Sequence, residues 1–323
     1  MKLYFKLLIL LLSIVQVKDC FSQVNDKFNS PKNIVKAYFY LLGQKTTLKY
    51  YIEKDPGNKD LLLLNNKEES YFGQARSKMK AYLVNKVGAQ DLKKQEEIAF
   101  TALDKLYNQQ PLNYDNLKND LNGRINGMKT LPEDIKLTTL SFKYQGHLNS
   151  LISDGFYNIY NSKGHPKSKG IDFSIKIPVL FEIVDGDRPN VLNNFKTSID
   201  ENFMNFNIGA VNFPELGNVT QKEVTELIKS ARYKSMIDKN AQNVEAKPIF
   251  IEDLNGLKIS YNLHVQRLDL SLDSYMIQYM LFLKGKMMTV TFGIQKNEDV
   301  DYLKFNAYVT SIMNTFILNS NYK

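Results

Sequence analysis

The sequence contains no tryptophan, a single cysteine and three histidines in 323 residues. The cysteine, Cys20, lies in an N-terminal segment that has the pattern of a removable leader, so we expect a mature chain without a thiol. Such a chain has no disulfide, no thiolate metal ligand and no cysteine nucleophile. The three histidines are dispersed in the sequence, and we therefore expect neither a metal nor a cofactor and identify no catalytic residue.

The leader has the charged start and short apolar core of a secretory signal peptide. Lys2 and Lys6 precede an apolar run at residues 7–15 that only Ser13 interrupts. A helix needs about 20 apolar residues to cross a hydrocarbon core of ~30 Å, so this run is too short to span a membrane. A retained N-terminal anchor helix remains the alternative to removal.

Small residues at −3 and −1 suit cleavage between Ser22 and Gln23, which predicts a signal peptide at residues 1–22. The protein is then exported, to the periplasm or the extracellular space. Lipidation at Cys20 is a second alternative, but the two residues before that cysteine are charged, where a lipidation signal requires small or apolar ones. We expect no membrane-spanning segment after removal of the leader.

The net charge of the chain is +8, but the basic residues are not those of a nucleic-acid-binding surface. Only five are arginines, the side chain that favours bidentate phosphate and base contacts. The lysines are scattered and are interleaved with acidic residues, a pattern typical of a solvated surface. The sequence therefore gives no indication of a nucleic-acid partner.

A mature chain of about 300 residues exceeds the usual size of a single core, which favours two domains. Residues 23–152 have helical periodicity, and residues 171–323 have mostly the alternating periodicity of strands. Residues 153–170 lie between them and are rich in glycine and lysine. We predict a mostly helical domain at 23–152, a connector at 153–170 and an antiparallel α+β domain at 171–323.

In the first domain, Ser30 followed by Pro31 predicts the start of a helix, and Gly43 its end. Apolar residues recur at helical spacing in three later segments. These segments predict helices over residues 67–87, 92–107 and 114–125.

In the second domain, residues 171–177 alternate between apolar and polar side chains, which predicts a half-buried strand that Pro178 ends. Thr220 with Glu223 three residues later forms the pattern of a capping box. Neighbouring strands with short connections favour an antiparallel sheet covered by helices on both faces, an α+β sandwich. The other predicted strands are 191–199, 206–213, 248–252, 257–268, 274–284 and 287–295, and the helices are 220–238 and 298–317.

This part of the chain resembles the PsbP-like domain, the fold of the extrinsic PsbP subunit of the photosynthetic oxygen-evolving complex. The resemblance covers about residues 165–320. It rests on an opening strand that ends in Pro178, the Phe181-Glu-Ile-Val-Asp-Gly segment, a central helix, the Lys284-Gly285-Lys286 hairpin and a closing helix. Where such domains often have a tryptophan after the first strand, this chain has Phe181. The resemblance implies a non-enzymatic role in binding or assembly.

Two groups of residues are candidates for ligand binding. Tyr157, Tyr160, His165 and Lys167 in the connector combine aromatic and basic side chains that suit an anionic or sugar ligand. A connector that packs on the sheet explains the same residues.

The second group is the charged turn with Asp185, Asp187 and Arg188. Its carboxylates suit a hard cation and its guanidinium suits an anion, whereas an ordinary turn stabilised by its aspartates needs no ligand.

Together these features predict an exported, non-enzymatic protein of the cell envelope that acts by binding or assembly, with an envelope protein as its partner. An envelope hydrolase, or a ligand- or glycan-binding module whose site is not visible in the sequence, is the alternative.

Overall fold

The computed structural model describes residues 30–109, 113–199, 202–267, 270–296 and 301–322. The predicted leader, Cys20 and the cleavage site at Ser22 and Gln23 lie outside these residues. Contacts divide the chain after Gln145 into two compact units, which are described separately. No helix in the described ranges is both long enough and apolar enough to cross a membrane.

The described part of the first unit is helical. α1 and α2 contact each other, and both contact α5. The core of this unit includes a cluster of leucines from α1, α2 and α4, which are Leu48, Leu61, Leu64, Leu117 and Leu121. The helices are α1 (Pro31–Lys54), α2 (Lys59–Val87), α3 (Ala89–Gln109), α4 (Tyr114–Ile125) and α5 (Glu133–Lys143).

Helix α1 begins where the sequence predicts but does not end there. The Ser30 side chain accepts a hydrogen bond from the Asn33 backbone N–H, and Pro31 occupies the first turn. The predicted end at Gly43 is wrong, because the helix continues to Lys54. A glycine costs a helix only about 1 kcal/mol, which burial of the next leucine, Leu48, offsets.

Two other helices differ from their predicted extent. α2 begins at Lys59 rather than at residue 67, because Asn58 caps it by accepting from the Leu61 N–H. α5 was not predicted, although Pro132 precedes two acidic residues of its first turn and Ile135 is fully buried.

The second unit begins with the short helix α6 (Ser150–Ser153) and contains two antiparallel sheets. The three-stranded sheet has the order β1-β2-β10, with β1 (Tyr157–Asn161), β2 (Phe173–Pro178) and β10 (Ile317–Leu318).

The seven-stranded sheet has the order β3-β4-β5-β9-β8-β7-β6. Neighbouring strands in it are antiparallel, as the sequence predicts. A turn at Lys284-Gly285 joins β8 to β9. The strands are β3 (Glu182–Asp185), β4 (Val191–Ile199), β5 (Asn202–Asn212), β6 (Ala241–Ile251), β7 (Leu254–Arg267), β8 (Leu270–Leu283) and β9 (Lys286–Gln295).

Helices α7 (Gln221–Lys229) and α8 (Tyr302–Met313) cover opposite faces of this sheet. Lys258 of β7 hydrogen-bonds to α8, whereas its neighbours Leu257 and Ile259 pack with Val224 of α7. Successive strand residues point to opposite faces, so the helices lie on opposite sides. The second unit is therefore an α+β sandwich of helix, sheet and helix.

The α7 helix has the predicted capping box between Thr220 and Glu223. It ends at Lys229 rather than near residue 238, because Ala231 adopts a left-handed backbone conformation with φ of 54°. The chain then forms a 3₁₀ turn at Arg232–Met236.

Aromatic side chains fill the layer between the large sheet and α8. Phe195, Phe206 and Phe292 are paired in register across β4, β5 and β9 and stack with centroid separations of 4.2 and 4.8 Å. Phe181 packs edge-on against Phe206 and stacks with Tyr308 of α8. These contacts join β4, β5 and β9 to one another and, through Phe181, to α8.

Candidate functional site

Residues 153–170, which we expected to form a connector, belong to the second unit and include a strand. All five residues of β1, including Ile159, pair with β2. The extended segment thereby satisfies the backbone hydrogen bonds along one edge of this largely buried strand. The segment thereby places its aromatic side chains alternately on the two faces of the three-stranded sheet.

Tyr160 points inward, towards the large sheet. Its hydroxyl donates to Asn193 Oδ1 at 2.6 Å, and Asn193 Nδ2 in turn donates weakly, at 3.5 Å, to Asp185 Oδ1. Burial, followed by the negative charge of Asp185, raises the pKa of Tyr160 to about 12. Tyr160 is therefore protonated at neutral pH and acts as a hydrogen-bond donor rather than a base.

Lys167 holds the same segment to the β3–β4 hairpin, and His165 caps the turn that carries Lys167. Lys167 Nζ donates to the Gly186 carbonyl at 2.6 Å, and His165 Nδ1 accepts from the Lys167 backbone N–H at 3.2 Å. A Cβ at position 186 would lie 2.0 Å from the Val191 carbonyl oxygen, so only glycine fits this turn. The contacts bring Tyr160, Lys167 and Asp185 together around one hairpin, in the arrangement expected of a packed segment.

Asp187 and Arg188 lie at the exposed tip of the β3–β4 turn. The Arg188 backbone carbonyl accepts from the Val191 N–H and closes the turn. No group of three or more histidine, cysteine or acidic residues in the described part of the chain is arranged to hold a metal ion. Ligand binding by the predicted residues stays a prediction.

Tyr157 lies on the opposite, outer face of the three-stranded sheet. Lys176 Nζ of β2 is 4.3 Å from the centroid of its ring, a cation–π contact. Two isoleucines share this face, because Ile159 pairs with Lys176 and Ile317 pairs with Ser174. We call the surface formed by Tyr157, Ile159, Lys176 and Ile317 the outer face.

Two apolar side chains of the outer face are exposed to solvent. Ile159 is 66% exposed and Ile317 is 41% exposed. Exposed apolar side chains grouped on one face, rather than scattered singly, mark contacts with another protein. Tyr157 could be identified from the sequence, but the isoleucines could not, because their common face depends on the pairing of β2 with β10, about 140 residues apart in sequence.

A row of polar side chains lies on the α7 side of the large sheet. Asn194, Asn207, Thr291 and Gln278 are in register across β4, β5, β9 and β8 and form a row of amides and a hydroxyl. We call this row the amide row. Among the described residues, Asn194, Asn207 and Thr291 have no hydrogen-bond partner for their side chains.

The β7–β8 hairpin adds a histidine–carboxylate pair. His264 Nδ1 lies 2.8 Å from Asp273 Oδ1, and the two residues face each other in register. Both side chains are about half exposed to solvent. The two residues are equally far in sequence from the β7–β8 turn, and this symmetry could have been used to predict the contact.

No protein-family model matches this chain, and no curated protein matches it either. Among solved structures, the Ran-binding protein Mog1p of Saccharomyces cerevisiae is similar over 50% of this chain and 95% of its own, with 8% identity and a TM-score of 0.33. LpqN, described as involved in cell envelope biogenesis of Mycobacterium tuberculosis, is similar over 51% of this chain and 93% of its own, with 9% identity and a TM-score of 0.30.

A protein from Bacteroides thetaiotaomicron is similar over 45% of this chain and 44% of its own. It has 11% identity and a TM-score of 0.28. Likeness at this level assigns neither a family nor a function to the chain.

Proposed function

We propose that this protein is exported to the cell envelope and acts there without catalysis, by binding another protein through the outer face of its three-stranded sheet. The observation that carries the proposal is the exposure of Ile159 and Ile317 on one face. Apolar area of this kind gains about 25 cal/mol for each Å² removed from water when a partner covers it.

The outer face combines apolar, aromatic and charged side chains. Lys176 lies on the central strand β2, between the strands that carry Ile159 and Ile317, and its ammonium contacts the Tyr157 ring. Interfaces between proteins are about as apolar as the rest of the surface but are enriched in aromatic residues, which this mixture matches. The PsbP-like resemblance of the second unit also implies a role in assembly.

The leader gives the compartment in this proposal. Its predicted cleavage leaves Gln23 as the first residue and removes Cys20, so the mature protein is free of lipid and thiol. Mass spectrometry of the N-terminus of protein purified from the envelope fraction tests this part. An N-terminus at a lipidated Cys20 would contradict it.

The binding role is tested by comparing capture of envelope proteins by the full-length wild type and by Ile159→Asp. The variant places a charge in the proposed interface without touching the core, so we expect it to fold and to lose the partner. Phe250→Asp is the matched control, since Phe250 is 62% exposed on the edge strand β6 of the other sheet. Equal recovery of the same partner by Ile159→Asp and wild type would exclude the outer face.

A glycan-binding role is the second candidate, and the amide row favours it. Amide side chains both donate and accept hydrogen bonds, as sugar hydroxyls do, and Asn194 and Asn207 are available for such contacts. Binding of soluble envelope glycans that is lost in Asn207→Ala but retained in Ile159→Asp would support this role instead.

A further inference from the structure

A pair of lysines lies on the α8 side of the large sheet, near its β6 edge. Lys258 of β7 is directly opposite Lys247 of β6 in the strand register. Directly opposed side chains of antiparallel strands lie on the same face, with Cβ atoms about 5 Å apart. Like charges on directly opposed residues destabilise a sheet.

Lys258 is buried among neutral groups. The residue is only 7% exposed, and its Nζ donates to Asn306 Oδ1 of α8 at 2.5 Å. A second contact, to Thr310 Oγ1, is 3.4 Å long, and the Tyr279 ring centroid is 5.3 Å away. A distance of 3.4 Å is beyond the usual range for an N–H···O hydrogen bond, so the contact with Thr310 is a weak hydrogen bond.

No carboxylate compensates this charge in the described part of the chain. The acidic residue nearest in the register is Glu245, which is opposite Ser260 and makes no ion pair within 4.0 Å with either lysine. Buried lysines are almost always paired with an acidic group, because transfer of an isolated ammonium from water is costly. Burial, followed by the charge of Lys247, accordingly lowers the pKa of Lys258 to about 8.

The exposure of the two lysines differs in a way that suits ligand entry. Lys247 is exposed on the edge strand, whereas Lys258 lies beneath α8 one strand further in. Lys247 is therefore the more accessible of the two ammonium groups to an anion in solution. The Asn306 amide, whose oxygen accepts from Lys258, adds an N–H donor beside it.

We propose that Lys247 and Lys258 bind a small oxyanion, such as a phosphate or carboxylate group, between the β6 edge and helix α8. The anion accepts hydrogen bonds from both ammonium groups and relieves the repulsion between them. Charge-assisted hydrogen bonds are about twice as strong as neutral ones, so loss of either lysine is expected to weaken binding strongly. This site is separate from the proposed partner surface and does not depend on it.

The test is a calorimetric titration of the full-length protein with inorganic phosphate and with acetate, at constant ionic strength set with chloride. We expect saturable phosphate binding that is weakened about tenfold or more in Lys247→Gln, a difference of about 1.4 kcal/mol. Lys258→Met is expected to abolish binding. Lys222→Gln is the matched control, because Lys222 is an exposed lysine of α7 on the opposite face.

The outcomes separate clearly. Binding of phosphate and acetate identifies a general oxyanion site, and binding of phosphate alone identifies a phosphate site. Absence of saturable binding to either anion overturns the proposal, as does binding that Lys247→Gln and Lys222→Gln weaken equally. Lys247→Gln decides the matter alone if Lys258→Met does not fold.

Discussion

Glu68 shows, at the scale of one residue, how the helical unit arranges charge in its interior. The residue is fully buried, and its Oε1 accepts from Arg76 Nη1 at 2.5 Å and from Gln44 Nε2 at 3.3 Å. Arg124 reaches the same network by donating to Gln44 Oε1 at 3.0 Å. Helices α1, α2 and α4 are therefore connected by polar contacts as well as by leucines.

Replacement of Glu68 by glutamine keeps its volume but removes the negative charge from this network. We expect Glu68→Gln to lower the free energy of unfolding by about 2 kcal/mol or more, because Arg76 loses a buried anionic partner. Urea unfolding of the full-length protein measures the change. Glu97→Gln is the control, since Glu97 pairs with Lys93 at 3.9 Å on the surface and such pairs contribute less than about 1 kcal/mol.

Lys258 makes stability depend on pH in a direction that can be worked out. Its pKa is lowered from 10.5 to about 8 in the folded state, so between these values the unfolded state binds more protons and stability rises with pH. From pH 7.5 to 9.5 we expect the wild type to gain about 2 kcal/mol relative to Lys258→Met, measured by urea unfolding without phosphate. Identical pH profiles of the two proteins would show that Lys258 is not the cause.

The residues around Tyr160 could be predicted only in part from the sequence. The aromatic and basic character of the segment identified Tyr160 and Lys167, because both lie in one stretch of chain. Their partners Asn193 and Gly186 could not be predicted, since the contacts depend on how β1 lies against a hairpin 20 or more residues further on.

At the scale of the elements, alternation predicted the inner strands of the large sheet but not β1 or β3. It also gave β6 as residues 248–252, whereas the strand runs from Ala241 to Ile251. β4 has the bounds predicted for residues 191–199, because its side chains alternate between a buried and an open face. Gly43 does not end α1, and α5 was not predicted. In both cases the burial of apolar side chains in the folded unit outweighs the weak local preference of the sequence.

Gly256 provides a test of how tightly β7 and β8 are joined. A Cβ at this position would lie 2.2 Å from the Met280 carbonyl oxygen, which faces it on the neighbouring strand. We expect Gly256→Ala to destabilise the protein by about 1–3 kcal/mol through displacement of the strands. Thermal unfolding followed by circular dichroism measures this.

Gly217→Ala is the control for that substitution. No atom lies within 4 Å of a Cβ at position 217, so its change in stability is expected to be within about 0.5 kcal/mol. An equal loss of stability in both variants would mean that the close approach at Gly256 is not what matters.

At the scale of the whole molecule, the change from helical to alternating periodicity indicated where helices give way to sheet. It did not indicate that the intervening segment adds a strand and leaves Ile159 exposed, since that depends on the pairing of β1 with β2 and of β2 with β10. The outer face is a product of this long-range pairing. The composition and net charge of the chain, by contrast, follow directly from the sequence.

The most direct test of the account is photo-crosslinking in intact cells from a photoreactive amino acid that replaces Ile159, compared with the same replacement at Phe250. We expect a crosslink from position 159 to one envelope protein, identified by mass spectrometry, and none to that protein from position 250. No crosslink from position 159, or the same product from both positions, would contradict the claim that the outer face binds a partner.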